Sequence, residues 1–250
     1  MIYYKSEREL KIMREAGLIV AGAFNLIKKI IRPGLSTLEL DKAAADYILS
    51  RMGIPAFKGY RGYPGNICVS VNEEVVHGIP DKRILKEGDI ASIDVGVEYK
   101  NYFADAAITL PVGQITERAR KLIEITRNSL NRAIEQMQPN VKLSSVSAVI
   151  QNLAESNGFS VVRDFVGHGI GSAMHEDPQV PNYVMPPKDN IEVILKPGLV
   201  VALEPMINEG GWEVEVLPNK WTVVTKDRKL SAHFEHTVAV TENGREVLTG

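Results

Sequence analysis

An α+β fold, made from two fused copies of one half-unit with an antiparallel sheet between four helices, is what this 250-residue chain predicts. Three observations carry that expectation. The segment Leu85-Lys86-Glu87-Gly88-Asp89-Ile90-Ala91-Ser92-Ile93-Asp94 recurs 110 positions later as Leu195-Lys196-Pro197-Gly198-Leu199-Val200-Val201-Ala202-Leu203-Glu204, and both copies close on a carboxylate. A second pair, Ala104-Asp105-Ala106-Ala107-Ile108 and Phe234-Glu235-His236-Thr237-Val238, again sets acid on acid. Each half, about 1–113 and 114–250, also reads helix, helix, strands. A chance decapeptide match would not bring the helix order with it, so agreement across levels marks a duplication. No linker of disordered composition separates the halves, and 1–250 is expected to form a single domain from half-units that could not close their own cores.

The elements follow in order. Ser6 with Glu9 makes a capping box, and Leu10, Met13, Gly17, Leu18, Ala21 and Phe24 continue one helical face until Arg32-Pro33-Gly34 stops it. Ser36 with Glu39 starts a second helix through Leu40, Ala43, Ala44, Tyr47 and Ile48, closed by Met52-Gly53. Residues 90 to 98 and 103 to 110 are apolar-rich and bracket the turn Tyr99-Lys100-Asn101-Tyr102. With Lys100 and Asn101 at the tip, Gly96 opposes Asp105 and Asp94 opposes Ala107. Thr116 opens a third helix that runs to Pro139, and Leu143 to Ser156 reads as a fourth, ended by Asn157-Gly158. A strand-like stretch, Phe159 to Val166, then leads into a glycine-rich turn at His168, with strands following to the C-terminus.

Composition narrows the function. A net charge of −2 with mixed signs gives no footprint for nucleic acid or an anionic membrane. The start lacks an apolar targeting segment, and no apolar run approaches the roughly 18 residues of a membrane span. A cytoplasmic protein is expected, and no face is apolar enough to demand an oligomer, so a monomer is expected too. Cys68 is the single cysteine, which excludes an intrachain disulfide and a thiolate zinc site. Any metal would be held by oxygen and imidazole.

Period-two alternation puts Asp94, Gly96, Asp105 and Ala107 on one face, with the aspartates diagonal neighbours about 7–8 Å apart at the backbone. Small Gly96 and Ala107 are expected to leave room there for an ion. One Asp in a strand reads as a turn or edge residue. Four acids inside apolar strands would repel or share protons, a conflict that divalent cations remove. His168 lies in Val166-Gly167-His168-Gly169-Ile170-Gly171. A dinucleotide loop is excluded by the Gly-x-Gly-x-Gly spacing and by the lack of a following helix and of a β-α-β unit. His175, in Met174-His175-Glu176-Asp177-Pro178, and His77, in Val75-Val76-His77-Gly78-Ile79-Pro80, each read alone as loop hydrogen-bonders. Together the three histidines sit in glycine- or proline-rich turns of the kind that form sites. An imidazole with four carboxylates suits Mn, Fe, Co or Zn, whereas calcium finds no Asp-rich loop. Two bridged divalent ions polarise a carbonyl and hold a hydroxide, which makes hydrolysis the first reaction class to consider.

These residues resemble the type I methionine aminopeptidases, of the pita-bread fold shared with Xaa-Pro peptidases and creatinase, over nearly the whole chain. The resemblance implies one catalytic metallopeptidase domain over 1–250 that removes the initiator methionine from nascent proteins with a small second residue, by a water activated at a dinuclear metal centre. It implies Asp94 on one metal, His168 and Glu204 on the other, and Asp105 with Glu235 bridging. Glu204 would carry the proton, His77 would orient substrate near its free N-terminus, and His175 would donate a hydrogen bond to the peptide carbonyl or the tetrahedral intermediate. Tyr60-Arg61-Gly62-Tyr63-Pro64, Asn66-Ile67-Cys68-Val69-Ser70, Asn72-Glu73 and His77-Gly78-Ile79-Pro80 resemble that family's thioether pocket, walled by Tyr60, Tyr63, Cys68 and Trp221. Met174 stands where an aromatic often closes the pocket and Phe57 where a smaller residue often lies, so both are expected to touch substrate and tune side-chain preference. The short stretch between Asp105 and His168 leaves no room for the type II insertion, and a compact bacterial-type form without an N-terminal extension is expected. The partners implied are nascent polypeptide N-termini and the ribosome, though no basic patch marks a docking surface. Two alternatives remain open at this point, an Xaa-Pro peptidase and a non-catalytic pita-bread binding module.

Overall fold

The computed structural model describes residues 1–186 and 192–250. Helices α1 (Glu7–Ile30) and α2 (Thr37–Ser50) both start from the expected capping box. The backbone amides and hydroxyls of Ser6 and Ser36 donate to Glu9 and Glu39 at 2.6–2.8 Å. Thr116 caps α3 (Glu117–Gln136), which ends where Met137 leaves the helical region with ψ 76°, two residues ahead of Pro139. Lys142 precedes α4 (Leu143–Ser156) without a side-chain cap. Its first turn is satisfied from a distance instead: Leu143 N donates to Val193 O at 2.9 Å and Ser144 N to Glu192 Oε1 at 3.2 Å.

The first half carries β1 (Ile54–Pro55), β2 (Cys68–Val71), β3 (Glu74–Val76), β4 (Ile90–Tyr99) and β5 (Tyr102–Pro111). The second carries β6 (Ser160–Val161), β7 (Gly167–Gly169), β8 (Glu176–Val180), β9 (Val200–Leu203), β10 (Met206–Asn208), β11 (Val214–Val216), β12 (Val223–Thr225), β13 (Ser231–His233), β14 (Glu235–Thr241) and β15 (Gly244–Val247). The main sheet runs β1-β4-β5-β14-β9-β7-β8, with β2 on β4 and β15 on β14. Its pairs are antiparallel throughout. Two smaller sheets, β13-β10-β6 and β11-β12-β3, complete the described strands, and the second ties the halves together through β3 and β12.

The repeat is visible bond by bond. Leu85 N donates to Leu35 O and Leu195 N to Val141 O, both at 2.9 Å. Gly34 N and Asn140 N return the bond to the carbonyls of Leu85 and Leu195 at 2.8 and 2.9 Å. One hydrophobic core draws on both halves, including Ile27, Leu40, Ile48 and Ile93 from the first and Leu122, Leu130, Ile150 and Leu203 from the second. The β4–β5 hairpin has the expected register, Asp94 opposite Ala107 and Gly96 opposite Asp105. Lys100 and Asn101 at its tip have φ of 50° and 64°, the left-handed pair that matches the twist of the flanking strands.

Three expectations are corrected. His168 is not in a turn but in the middle of β7, between β8 and β9, and the strand expected over Phe159 to Val166 shrinks to Ser160–Val161. The flanking glycines serve close strand approach: a Cβ on Gly167 would stand 2.4 Å from Ala202 O, and one on Gly169 2.2 Å from Asp177 O. The space beside Gly96 is also not open for an ion. A Cβ there would lie 2.5 Å from Phe57 Cε1 and 2.9 Å from Met174 Cε, so those side chains fill it.

Candidate active site

Cys68, Asp94, Ala107 and Glu235 are successive Cα partners across β2, β4, β5 and β14, and therefore share one face. Asp105 lies two residues along β5 on the same face. Leu203 pairs with His236, which sets Glu204, the next residue, beside Glu235. His168 pairs with Ala202 on the other side of β9. The seam between the halves, β5 against β14, has only two Cα pairs, Glu235 with Ala107 and His236 with Ala106. Two threonines clamp it. Thr237 Oγ1 accepts from Asp105 N at 2.9 Å and donates to Asp105 O at 2.7 Å. Thr109 Oγ1 does the same for His233, at 2.9 and 2.8 Å. The hydroxyls thus fix the backbone at Asp105 on one strand and just ahead of Glu235 on the other.

Asp105, His168 and Glu235 each offer a ligand atom, all within 4.8 Å of one another, and Asp94 and Glu204 line the same cavity. His168 Nδ1 lies 2.9 Å from Gly169 O, an atom that only accepts, so Nδ1 carries the proton and the Nε2 lone pair faces Glu204 Oε1 at 3.6 Å. Asp94 Oδ1, Asp105 Oδ1 and Glu235 Oε1 are buried with no hydrogen-bond partner. Burial pushes the carboxyls of Asp94, Glu204 and Glu235 well above the usual range, and repulsion from Asp105 adds to each shift. Asp105 is itself raised by burial. The histidines move the other way: burial lowers His168, takes His77 to about 4, and takes His175 and His233 to about 3. Buried carboxylate oxygens without hydrogen-bond partners therefore converge on a neutral imidazole whose Nε2 lone pair faces them. That donor set fits divalent cations of the kind bound by oxygen and imidazole.

The cavity, ≈ 180 Å³, is walled by Phe57, Tyr60, Tyr63, Cys68, His77, His175 and Trp221 as well as the acids and His168. Tyr63 stands edge-on to Phe57 and Trp221, and its hydroxyl donates to Gly78 O at 2.8 Å, pinning the turn that presents His77. His77 has φ 59° and meets Phe165 and Trp221 edge-on. Burial raises the Cys68 thiol, which stays protonated opposite Asp94. Tyr60 does more than wall the pocket, since it stacks on His175 with centroids 5.3 Å apart and bonds Nδ1 at 2.8 Å. Met174 is the one expected substrate contact that does not line the cavity; at 2% exposed it packs behind Phe57. Gly96→Val should push Phe57 into the cavity and raise KM for a methionyl peptide by about tenfold with a smaller change in kcat, as steady-state kinetics would read. An unchanged KM would show that Phe57 does not bound the pocket.

Reasoning from sequence missed His233, Phe165 and Arg61. His233 is 2% exposed, with Nε2 unpartnered and 3.9 Å from both Glu204 Oε2 and Glu235 Oε2. Its spacing of two from Glu235 was the available signal, because alternate residues share a face.

Residues 11–242 match the model of metallopeptidase family M24. The chain is 52% identical to methionine aminopeptidase 1 of Bacillus subtilis over 249 residues, covering 100% of this chain and 99% of that one. A crystal structure of methionine aminopeptidase from Thermotoga maritima superposes with a TM-score of 0.96 at 46% identity, covering 100% and 99% of the two chains. The prolidase of Pyrococcus furiosus shares the fold alone, at a TM-score of 0.78 and 22% identity over 99% of this chain and 65% of that one. With its duplicated helices, curled antiparallel sheet and cluster of side chains able to hold a metal, the chain belongs to metallopeptidase family M24 and, within it, to the methionine aminopeptidases.

Proposed function

We propose that this enzyme hydrolyses the bond after the initiator methionine of proteins with a small second residue, using two divalent ions drawn from Fe, Mn, Co or Zn. Asp94 would hold one ion, His168 and Glu204 the other, and Asp105 with Glu235 would serve both. The observation that carries this reading is the set of orphaned buried carboxylate oxygens at one end of an apolar, aromatic-walled cavity. When bound, the ions polarise the scissile carbonyl and make water a competent nucleophile at neutral pH. The residues supply the rest. Glu204, as a carboxylate, takes the proton from water, and its burial, which raises its pKa, favours holding that proton until the leaving amine takes it. His175 donates to the carbonyl oxygen as charge develops on it. His77 orients the substrate near its amino terminus, and Tyr63, Phe57, Cys68 and Trp221 offer soft apolar contacts to the thioether. In this reading the enzyme works in the cytoplasm as a monomer on chains emerging from the ribosome.

Purified protein loaded with Mn or Co should release methionine from a Met-Ala-Ser peptide and leave an Ala-Pro peptide intact. No release from the first would end the proposal, and cleavage of the second alone would favour an Xaa-Pro peptidase. The chain's own start makes a separate check. Met1 precedes bulky Ile2, and its ammonium group pairs with Asp177. The mature protein should keep Met1, and an intact mass short by one methionine would count against a small-residue requirement.

A further inference from the structure

The arm ahead of α1 is tied to the segment that carries His175. Lys5 Nζ donates to Glu176 Oε2 at 2.6 Å, and the two side chains are only 4% and 6% exposed. The same ammonium donates to Tyr3 O at 3.2 Å, and Lys5 N donates to Gly198 O at 2.7 Å, so the cation is anchored at both ends of its residue. The other oxygen of Glu176, Oε1, accepts from Ala173 N at 3.2 Å and Ser172 Oγ at 3.5 Å. Glu176 therefore closes the loop 172–176, in which His175 is its immediate neighbour. One residue further on, Asp177 bridges to Ile2 and pairs with the Met1 ammonium.

Burying both partners of an ion pair carries a desolvation cost that a surface tether would avoid. Neither Lys5 nor Glu176 lines the cavity. We propose that Lys5 and Glu176 are positioning residues that hold His175 in register with the scissile carbonyl. This rests on the reading of His175 as hydrogen-bond donor in methionine release. Without Lys5 the Glu176 carboxylate is left buried and unpaired, and reaching water requires it to leave Ala173 and Ser172. The loop then loosens and His175 loses its fixed place against Tyr60. Displacing a catalytic donor lowers kcat while leaving binding in the methionine pocket nearly intact.

A double-mutant cycle on the full, metal-loaded chain with a Met-Ala-Ser peptide tests this. Lys5→Met should lower kcat about tenfold with KM within about twofold, and the same change in a His175→Ala background should cost less than about twofold. Lys5→Arg, which keeps the cation, should restore most of the rate. Should Lys5→Met not fold, Glu176→Gln reads the same cycle with a smaller loss, about threefold, that again vanishes without His175. Equal losses in both backgrounds, or no loss in either, would overturn the positioning role. No methionine release by the unmutated chain would instead overturn the peptidase reading on which it stands.

Discussion

Asp105→Asn is expected to cut methionine release at least about a thousandfold and to lower the metal bound per chain, measured by elemental analysis of dialysed protein. Asp105 is the acid that the other three share: its charge raises Asp94, Glu204 and Glu235 alike, and it is one of the three residues whose ligand atoms cluster within 4.8 Å. An amide removes the charge and one acceptor while keeping the volume, so the β5 backbone, clamped by Thr237, has no reason to move. The same change should have the opposite sign on metal-free stability. Each acid has a folded pKa above its unfolded value, so its contribution is fully present below the unfolded pKa and is lost as pH rises through the folded one. His77, His168 and His233, shielded from solvent, are lowered instead; their contribution is present above about pH 6.5 and lost as pH falls through the folded values. Between about pH 7 and about pH 8, below the ordinary thiol value, only the acids act. The melting temperature of metal-free protein should therefore fall between about pH 7 and about pH 8, less steeply for Asp105→Asn, and added Mn should reverse the fall for the unmutated chain. Full activity and full metal content in Asp105→Asn would remove Asp105 from the site.

The acids were legible because a duplication writes them twice and a two-residue turn fixes their register. Lys100 and Asn101 alone set which residues face each other across β4 and β5, and that pairing follows from chain alternation without tertiary knowledge. His168 was less legible. A three-residue strand between two neighbours has the same glycine-rich sequence as a turn, and only the closeness of Ala202 and Asp177 tells them apart. His233 was signalled only by its spacing of two from Glu235, and Phe234 separates β13 from β14, so that spacing spans a strand break across which alternation need not hold. Met174 shows where a resemblance stops. It lies next to the pocket, but whether a side chain faces the cavity or packs behind its wall depends on neighbours far away in sequence, such as Gly96.

His175→Ala should lower kcat by about 10²–10³ with KM within a few-fold, because the interaction it removes strengthens only as the carbonyl oxygen gains charge. The argument starts from Tyr60. Its hydroxyl lies 2.8 Å from His175 Nδ1, and the rings stack with an interplanar angle of 16°. With the phenol donating, Nδ1 accepts and the proton sits on Nε2, free to donate. Burial, with a lesser effect from His168, brings His175 down to about 3, so the imidazole is neutral at every pH at which the protein would be assayed. A neutral donor stabilises a developing oxyanion without adding a cation beside the metals, and its rate contribution should show no titration near neutrality. Tyr60→Phe keeps the stacked ring and loses the bond that fixes the tautomer, so its loss in kcat should be smaller, about tenfold. The ordering of the two variants separates the roles. A histidine that only binds the peptide would raise KM in both and leave kcat unchanged, whereas a donor whose tautomer Tyr60 sets loses kcat in both, more steeply when the imidazole itself is gone.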